Sequence, residues 1–231
     1  MNPKRFLRKS FLAGLNKLPP DKTLRFLFSL DQWLYYLQGQ VASSYGGGIH
    51  TKHRHMNYHQ FFVRQIQPEE RVIDIGCGLG AVAYTVAQES GASKVVGIDL
   101  SAKSIAMAQE RHQHPKVDYR VGDALVDLPD EAFDLVILSN VLEHLPGRPE
   151  FLRRVQAALS PSRILIRVPL FERDWRVPLK KELGVEWRLD PTHEIEYTHE
   201  TFAQEMDEAN LDIIYQEIRW GEIWAVTQPS E

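Results

Sequence analysis

The chain has 231 residues, of which 43% are hydrophobic and 25% are charged. This is the composition of an ordinary globular protein with a sizeable core. Its formal net charge of −4 argues against general nucleic-acid binding. The single cysteine, Cys77, excludes an internal disulfide and suits a reducing compartment. No stretch approaches the roughly 18 uncharged apolar residues of a membrane-spanning helix. We therefore expect a cytoplasmic protein.

The first 25 residues are strongly basic, with seven Lys or Arg against one Asp. After Pro19 and Pro20, leucines at helical spacing predict a helix over residues 21–38. These leucines are Leu27, Leu30, Leu34 and Leu37. Three interpretations stay open: the helix packs on its own domain, residues 1–38 make a peripheral membrane contact, or they bind a partner. Nothing in the sequence indicates an oligomeric state.

A glycine-rich run follows this helix. The sequence SSYGGG, residues 43–48, predicts a flexible joint. We therefore divide the chain into a helical N-terminal extension, residues 1–48, and a second domain, residues 49–231.

The second domain alternates short β-rich runs with helical stretches. The predicted strands are 71–76, 94–100, 117–123, 133–140, 163–170, 212–220 and 222–228. The predicted helices are 81–90, 102–112, 149–160 and 199–210. Such alternation predicts an α/β fold with a doubly wound, mostly parallel seven-stranded sheet. Because no helix separates the last two strands, they predict an antiparallel C-terminal hairpin at one edge.

The first predicted strand runs into a glycine-rich turn, VIDIGCGLGA. Ligands of parallel α/β sheets bind outside the carboxyl ends of the strands, where this turn lies. Gly76 permits a tight turn, Gly78 a close backbone approach, and Gly80 opens the next helix. Read through Ala81, the same turn also satisfies a dinucleotide fingerprint, and Asp99 suits a ribose in either case.

Three further features favour one interpretation of the turn. Asp74 precedes the first glycine, where a carboxylate disfavours a pyrophosphate and suits a cationic amino acid. Asp123 ends the third strand, where it can accept from an exocyclic adenine amine. Polar groups then end the fourth strand. The blocks DIGCGLG, GIDLS, GDA and FDLVILSNVLEHL together resemble the class I S-adenosylmethionine (SAM) methyltransferases of types 11 and 23, over roughly residues 55–228.

This resemblance implies SAM as the cofactor, and it implies roles for individual residues. Those implied to contact the methionine part are Asp74, Gly76, Cys77, Gly78 and Gly80. Those implied to bind the adenosine are Asp99, Leu100, Ser101, Asp123 and Ala124, and Asn140 is implied to lie near the sulfonium. A nicotinamide-dependent oxidoreductase and a SAM-binding protein without catalysis are the alternatives.

The acceptor is predicted to be a hydroxyl. The Asn/Asp-Pro-Pro-aromatic signature of base amino-group methylation is absent, and SNVLEHL stands in its place. A small-molecule, sugar or lipid-linked hydroxyl then needs a residue that removes its proton. The catalytic candidates are His193, His144 and Glu143.

A narrower resemblance concerns the same residues. NVLEHL followed by RLDPTHEIEYTHETF is similar to metal-dependent small-RNA 2′-O-methyltransferases and to ubiquinone-pathway O-methyltransferases. The small-RNA enzymes hold a divalent ion with Glu-x-x-Glu-His and a later His, but Asn140 here replaces the first Glu. We favour a metal-free histidine base. Metal binding by Glu143, His144 and His193, or a purely structural turn, stays open.

Four histidines fall within residues 50–59: His50, His53, His55 and His59. Interleaved Lys52 and Arg54 would repel a cation, so a metal site is not favoured. In the resembling family this position covers the pockets, which predicts a lid or pocket wall here. The lid residues are predicted to be Tyr45, Arg54, Tyr58 and His59.

Overall fold

The computed structural model describes residues 18–47 and 49–230, so most of the basic first segment lies outside the described residues. These residues form two compact units. One holds the described residues up to His55 together with Asp174–Pro191, and the other holds Met56–Arg173 together with the described residues from Thr192 onward. This division differs from the predicted boundary after residue 48, because the sequence pattern did not associate residues 174–191 with the N-terminal helix. No helix within the described ranges is long and apolar enough to cross a membrane.

From residue 59 onward, helices and strands largely alternate along the chain. The helices are α1 Pro20–Tyr45, α2 Lys52–Met56, α3 His59–Gln65, α4 Ala81–Glu89, α5 Ala102–Arg111, α6 Arg148–Leu159, α7 Arg176–Glu182 and α8 His199–Glu208. The strands are β1 Arg71–Ile75, β2 Lys94–Asp99, β3 Val117–Val121, β4 Leu135–Ser139, β5 Arg163–Pro169, β6 Leu211–Arg219 and β7 Glu222–Pro229. Single 3₁₀ turns span Leu142–His144 and Phe171–Arg173.

The first unit is built around α1, which begins at Pro20, a residue suited to the first turn because its missing N–H has no helical partner there. Phe28 is the buried residue of this helix, and the Lys180 ammonium of α7 lies 5.4 Å from its ring centroid. The predicted joint over residues 43–48 is wrong in its first half, because α1 continues through Tyr45. The Ser43 hydroxyl donates to the Gly39 carbonyl, 3.1 Å away, inside the helix.

The second unit contains one seven-stranded sheet in the order β3-β2-β1-β4-β5-β7-β6. The first five strands of the chain are mutually parallel, whereas β7 is antiparallel to both β5 and β6. The predicted doubly wound, mostly parallel sheet with an antiparallel C-terminal hairpin is confirmed. The hairpin inverts its order at the edge, so that the last strand lies inside the sheet.

Hydrophobic cores cover both faces of the sheet. Successive strand side chains point to opposite faces, so Val72 and Ile73 of β1 enter different clusters. Helices α6 and α8 pack on the face of Ile73, and α3, α4 and α5 on the face of Val72. Burial on both faces explains why the parallel strands are continuous apolar runs in the sequence. The carboxyl ends of β1, β2 and β4 therefore emerge together at one edge of the unit.

Candidate active site

The glycine turn follows β1 directly and has left-handed backbone geometry at three positions. The φ angles of Gly76, Gly78 and Gly80 are +71°, +54° and +78°, a region that costs other residues energy. A Cβ on Gly76 would lie 2.6 Å from Cγ2 of Val141, and one on Gly80 would lie 2.6 Å from Cε1 of Tyr119. A Cβ on Gly78 would meet nothing within 4 Å. The outer two glycines are therefore required by packing, and the middle one borders open space.

Asp99, at the end of β2, ties this turn to the following helix. Its Oδ2 accepts a hydrogen bond from the Gly78 N–H at 2.8 Å, and its Oδ1 accepts one from the Ser101 N–H at 2.8 Å. Ser101 in turn caps α5 through the Ser104 N–H. The intervening Leu100 is 72% exposed. The carboxylate is thus held at the strand end by two backbone N–H groups. Its contact with a ribose stays a prediction.

Asp74 is buried beside the turn, with 1% of its surface exposed. Burial raises the pKa of its carboxyl to about 7, and the nearby Asp99 charge acts in the same direction. A backbone hydrogen bond from Ala83 opposes this rise. Among the described residues, Oδ2 of Asp74 has no hydrogen-bond partner. A buried acceptor without a donor is costly, so this oxygen is suited to a cationic or donor group of a ligand.

Asp123 lies at the turn after β3, where its Oδ1 accepts from the Leu125 N–H at 2.9 Å. The neighbouring Ala124 carbonyl accepts from Arg154 at 3.0 Å. Both residues are half-buried. Within the described part of the chain, the hydrogen bond of this carboxylate is made by Oδ1, so Oδ2 can accept from a ligand donor.

After β4 the chain turns sharply at Asn140, whose φ is +58°. Its side-chain Nδ2 donates to Oε1 of Glu143 at 2.7 Å. Glu143 is fully buried, and its Oε2 has no hydrogen-bond partner among the described residues. Burial raises the pKa of Glu143 to about 7, while hydrogen bonds and the charges of His193 and Arg167 oppose the rise. Asn140 therefore orients this carboxyl.

The three predicted catalytic residues are brought together. Ligand atoms of Glu143, His144 and His193 all lie within 4.8 Å of one another. The two imidazole rings meet edge to face, with centroids 4.6 Å apart. Nδ1 of His144 lies 3.0 Å from the Thr192 hydroxyl. This geometry arises because the Glu143 carbonyl accepts from the Glu194 N–H at 2.7 Å, which ties the two segments together.

Sequence reasoning missed Glu196 and its partner Arg173, which support this cluster. Glu196 is buried, and its Oε1 lies 3.4 Å from Nδ1 of His193. Its Oε2 forms an ion pair with Arg173. The signal was the second acidic residue in HEIE, three positions after the histidine. A carboxylate beside one nitrogen of a buried imidazole fixes the orientation of the ring and of its other nitrogen.

A second buried polar group, also missed, lies at the ends of β4 and β5. The Arg167 guanidinium donates to both carboxylate oxygens of Glu222, at 2.6 and 2.7 Å, and to the Ser139 hydroxyl at 3.1 Å. It also lies over the Tyr58 ring, 3.8 Å from its centroid. Burial raises the pKa of Tyr58 to about 12. The signal was an arginine within the apolar run ILIRVPL, since a charge there requires a buried partner.

The predicted lid residues divide between the two units. Tyr45 and Arg54 belong to the first unit, where the guanidinium lies 5.8 Å from the ring centroid. Tyr58 and His59 belong to the second, and Nδ1 of His59 lies 2.9 Å from the Thr85 hydroxyl. Within the described ranges, the four histidines of residues 50–59 do not enter a cluster suited to a metal. Closure over a ligand stays a prediction.

The comparison with protein families decides what this arrangement is. Residues 73–166 match a family model described as a methyltransferase domain. The chain carries a class I SAM-dependent methyltransferase domain. The match covers the glycine turn and the strand ends that hold Asp74, Asp99, Asp123 and Asn140.

Two curated relatives of the methyltransferase domain differ in the atom they methylate. Over 119 residues, 51% of this chain, it is 34% identical to a ubiquinone biosynthesis O-methyltransferase of Rhodopseudomonas palustris. Over 100 residues, 42% of this chain, it is 38% identical to a phosphoethanolamine N-methyltransferase of Caenorhabditis elegans. The matches cover 46% and 23% of these relatives, so the chain spans less than half of either.

The methyltransferase domain also resembles solved structures. A small RNA methyltransferase, HEN1, superposes with a TM-score of 0.63 over 77% of this chain and 25% of that one, at 18% identity. At this level of identity the similarity shows the fold alone.

Proposed function

We propose that this chain transfers the methyl group of SAM to a hydroxyl oxygen, with His193 as the general base. The observation that carries the proposal is the buried pair of His193 and Glu196, beside Glu143 and His144. A hydroxyl is a weak nucleophile until its proton is removed, and an imidazole held by a carboxylate is suited to take that proton. The sulfonium of SAM supplies a methyl group that is already activated.

The turn between β1 and α4 is the proposed SAM site. The unpartnered Oδ2 of Asp74 fits the cationic amino group of the methionine moiety. The open space at Gly78 admits a ligand against the backbone, Asp99 binds ribose hydroxyls, and Asp123 accepts from the adenine amine. The remaining members of the proposed site are Gly76, Cys77, Gly80, Leu100, Ser101, Ala124 and Asn140.

The proposed acceptor is a small-molecule, sugar or lipid-linked hydroxyl. The two relatives carry O- and N-methyltransferase in their names, so the names leave the acceptor atom open. The Asn/Asp-Pro-Pro-aromatic signature of base amino-group methylation is replaced by SNVLEHL, which favours oxygen as the acceptor atom. The acidic net charge of −4 disfavours a nucleic-acid acceptor, whose phosphates require many basic contacts.

A divalent-metal-dependent RNA 2′-O-methyltransferase is the second candidate. One observation favours metal binding: Glu143, His144 and His193 converge within 4.8 Å, and Oε2 of Glu143 is buried without a partner among the described residues. Imidazole and carboxylate donors suit several divalent ions. These three residues would hold the ion, which would lower the pKa of the acceptor hydroxyl. RNA is less favoured as the acceptor, because the net charge of the protein is negative.

Calorimetric titration with S-adenosylhomocysteine (SAH) tests the cofactor site. We expect micromolar binding that is lost in Asp99→Ala and kept in Asp118→Ala, an exposed aspartate on the neighbouring strand. Absence of SAH binding by the wild-type protein would contradict the proposal. It would favour the alternative that the glycine turn binds a nicotinamide dinucleotide.

A labelled-SAM assay across a panel of hydroxyl acceptors tests the chemistry. We expect turnover that survives EDTA and is lost in His193→Ala while SAH binding persists. Turnover that requires Mg²⁺ or Mn²⁺ would favour the second candidate. SAH binding without turnover on any acceptor would instead favour a SAM-binding protein that lacks catalysis.

A further inference from the structure

Helix α1 exposes a continuous apolar stripe. Its members recur at three- and four-residue spacing along one side of the helix. They are Phe26, Leu30, Trp33, Leu37 and Val41, here called the 26–41 stripe. Phe26, Trp33 and Val41 are 49%, 57% and 66% exposed. Large apolar side chains exposed in a row indicate a surface that binds something.

The opposite side of α1 makes the contacts within its own unit. Phe28 packs under Lys180, and Oδ2 of Asp31 lies 3.6 Å from Arg176 and 3.5 Å from Lys180. Asp31 is also the sole charged residue in the sequence from 26 to 45. The helix is therefore held from one side, while the 26–41 stripe is flanked mainly by serine, glutamine and tyrosine rather than by charge.

The unit that carries the stripe is also the basic part of the protein. Its described residues contain eight Lys and Arg against six Asp and Glu, and residues 1–17, which lie outside the described part, add five Lys and Arg in the sequence. The residues of the other unit contain fourteen Lys and Arg against twenty-five Asp and Glu. Lys22 and Arg25, in the first turns of α1, are exposed. Exposed basic side chains therefore lie on the same helix as the exposed aromatic side chains, and the methyltransferase domain is acidic.

We propose that the 26–41 stripe docks on an anionic lipid surface, with α1 lying along the membrane interface. Tryptophan favours the headgroup region, and lysine and arginine are attracted by anionic lipids. A helix with this composition, too polar to span, lies in the interface plane. A second copy of the chain as occupant is less favoured, because paired helices select a partner through flanking charges of both signs, which this stripe lacks. The inference does not depend on the acceptor or on the catalytic base.

Cosedimentation of the full chain with vesicles tests this proposal. The probes are vesicles of phosphatidylcholine alone and of phosphatidylcholine mixed with phosphatidylglycerol. We expect binding to the mixed vesicles that weakens as salt is raised, because salt screens the attraction. Trp33→Ser should lower the partition coefficient at least about fivefold, since it removes a large interfacial side chain. Lys22→Gln with Arg25→Gln should weaken binding to the mixed vesicles only.

The matched control is Tyr35→Ser, on the same helix outside the stripe and 59% exposed, close to the 57% of Trp33. It should leave vesicle binding nearly unchanged, and every variant should keep the SAH affinity of the wild type. Equal binding to both kinds of vesicle would overturn the proposal, as would equal loss in Trp33→Ser and Tyr35→Ser. A concentration-dependent dimer that Trp33→Ser abolishes, without vesicle binding, would overturn it in favour of a second copy.

Discussion

Nδ1 of His193 lies 3.4 Å from Oε1 of Glu196, and both side chains are buried. The pair places a carboxylate on one imidazole nitrogen, and a ring nitrogen of His193 lies within 4.8 Å of ligand atoms of Glu143 and His144. The proposed base is thus oriented by a carboxylate that is itself shielded from solvent, and this role can be tested by changing the carboxylate alone.

Glu196→Gln should lower kcat on an identified acceptor by about tenfold or more, because the imidazole loses the carboxylate that orients it. KM for the acceptor should change little, since the side chain is not proposed to touch substrate. Glu194→Gln, two residues away and exposed, is the control and should retain wild-type kcat. A rise in KM with unchanged kcat would show that Glu196 shapes the pocket instead.

Asp74 should make the stability of the ligand-free protein depend on pH. Its pKa is raised from 3.8 to about 7, so its stabilising contribution is present below pH 3.8 and is lost as pH rises through about 7. The loss is on the order of 4 kcal/mol. Asp74→Asn should therefore gain in melting temperature relative to wild type as pH rises from 3.8 to about 7, with no further gain above.

Exposed Asp207 provides the control for this titration. Asp207→Asn should follow the wild-type pH profile of melting temperature. Saturating SAH should restore much of the stability that wild type loses near neutral pH, because a cationic amino group would pair with the ionised carboxylate. Parallel wild-type and Asp74→Asn profiles would contradict the raised pKa.

Gly78→Ala should separate backbone strain from ligand contact. Both Gly78 and Gly147 have left-handed φ, +54° and +57°, and a Cβ at either would meet nothing within 4 Å. Each substitution to Ala should cost about 1 kcal/mol of unfolding free energy. Only Gly78→Ala should weaken SAH binding, by at least about tenfold, because the proposed ligand approaches that backbone. Equal SAH affinity in both variants would remove Gly78 from the site.

Arg167→Met should destabilise the second unit by about 3–5 kcal/mol, because it leaves Glu222 buried without its cation. Adding Glu222→Gln should recover at least about 1 kcal/mol, since the amide carries no charge and can still accept from Nε1 of Trp224. Denaturant titration of the two variants measures both quantities. A single-variant cost below about 1 kcal/mol would show that the ion pair is effectively solvated.

The parts of the fold that could be predicted are those that local sequence patterns determine. The parallel strands could be predicted because burial on both faces makes each a short apolar run. Asp74, Asp99 and Asp123 could be predicted as site residues because they lie at the ends of such runs. The carboxyl-terminal end of α1 could not be predicted, because SSY resembles a loop in the local sequence. In the structure, the Ser43 hydroxyl donates to a carbonyl of the same helix. Glu196, Arg167 and Glu222 were not predicted as site residues. Their importance comes from partners brought near by the sheet, for instance Arg167 and Glu222, 55 residues apart.

The order of strands also constrains how the protein is made. β7 lies between β5 and β6, so during synthesis β5 emerges from the ribosome well before its neighbour exists. Until residues 222–229 appear, the outer edge of β5 has no strand to pair with, and Arg167 has no Glu222. The strand pairing of this sheet therefore cannot be completed during synthesis until the last strand has emerged. A nascent chain stalled before β7 presents an open, apolar strand edge that chaperones recognise and other chains can join.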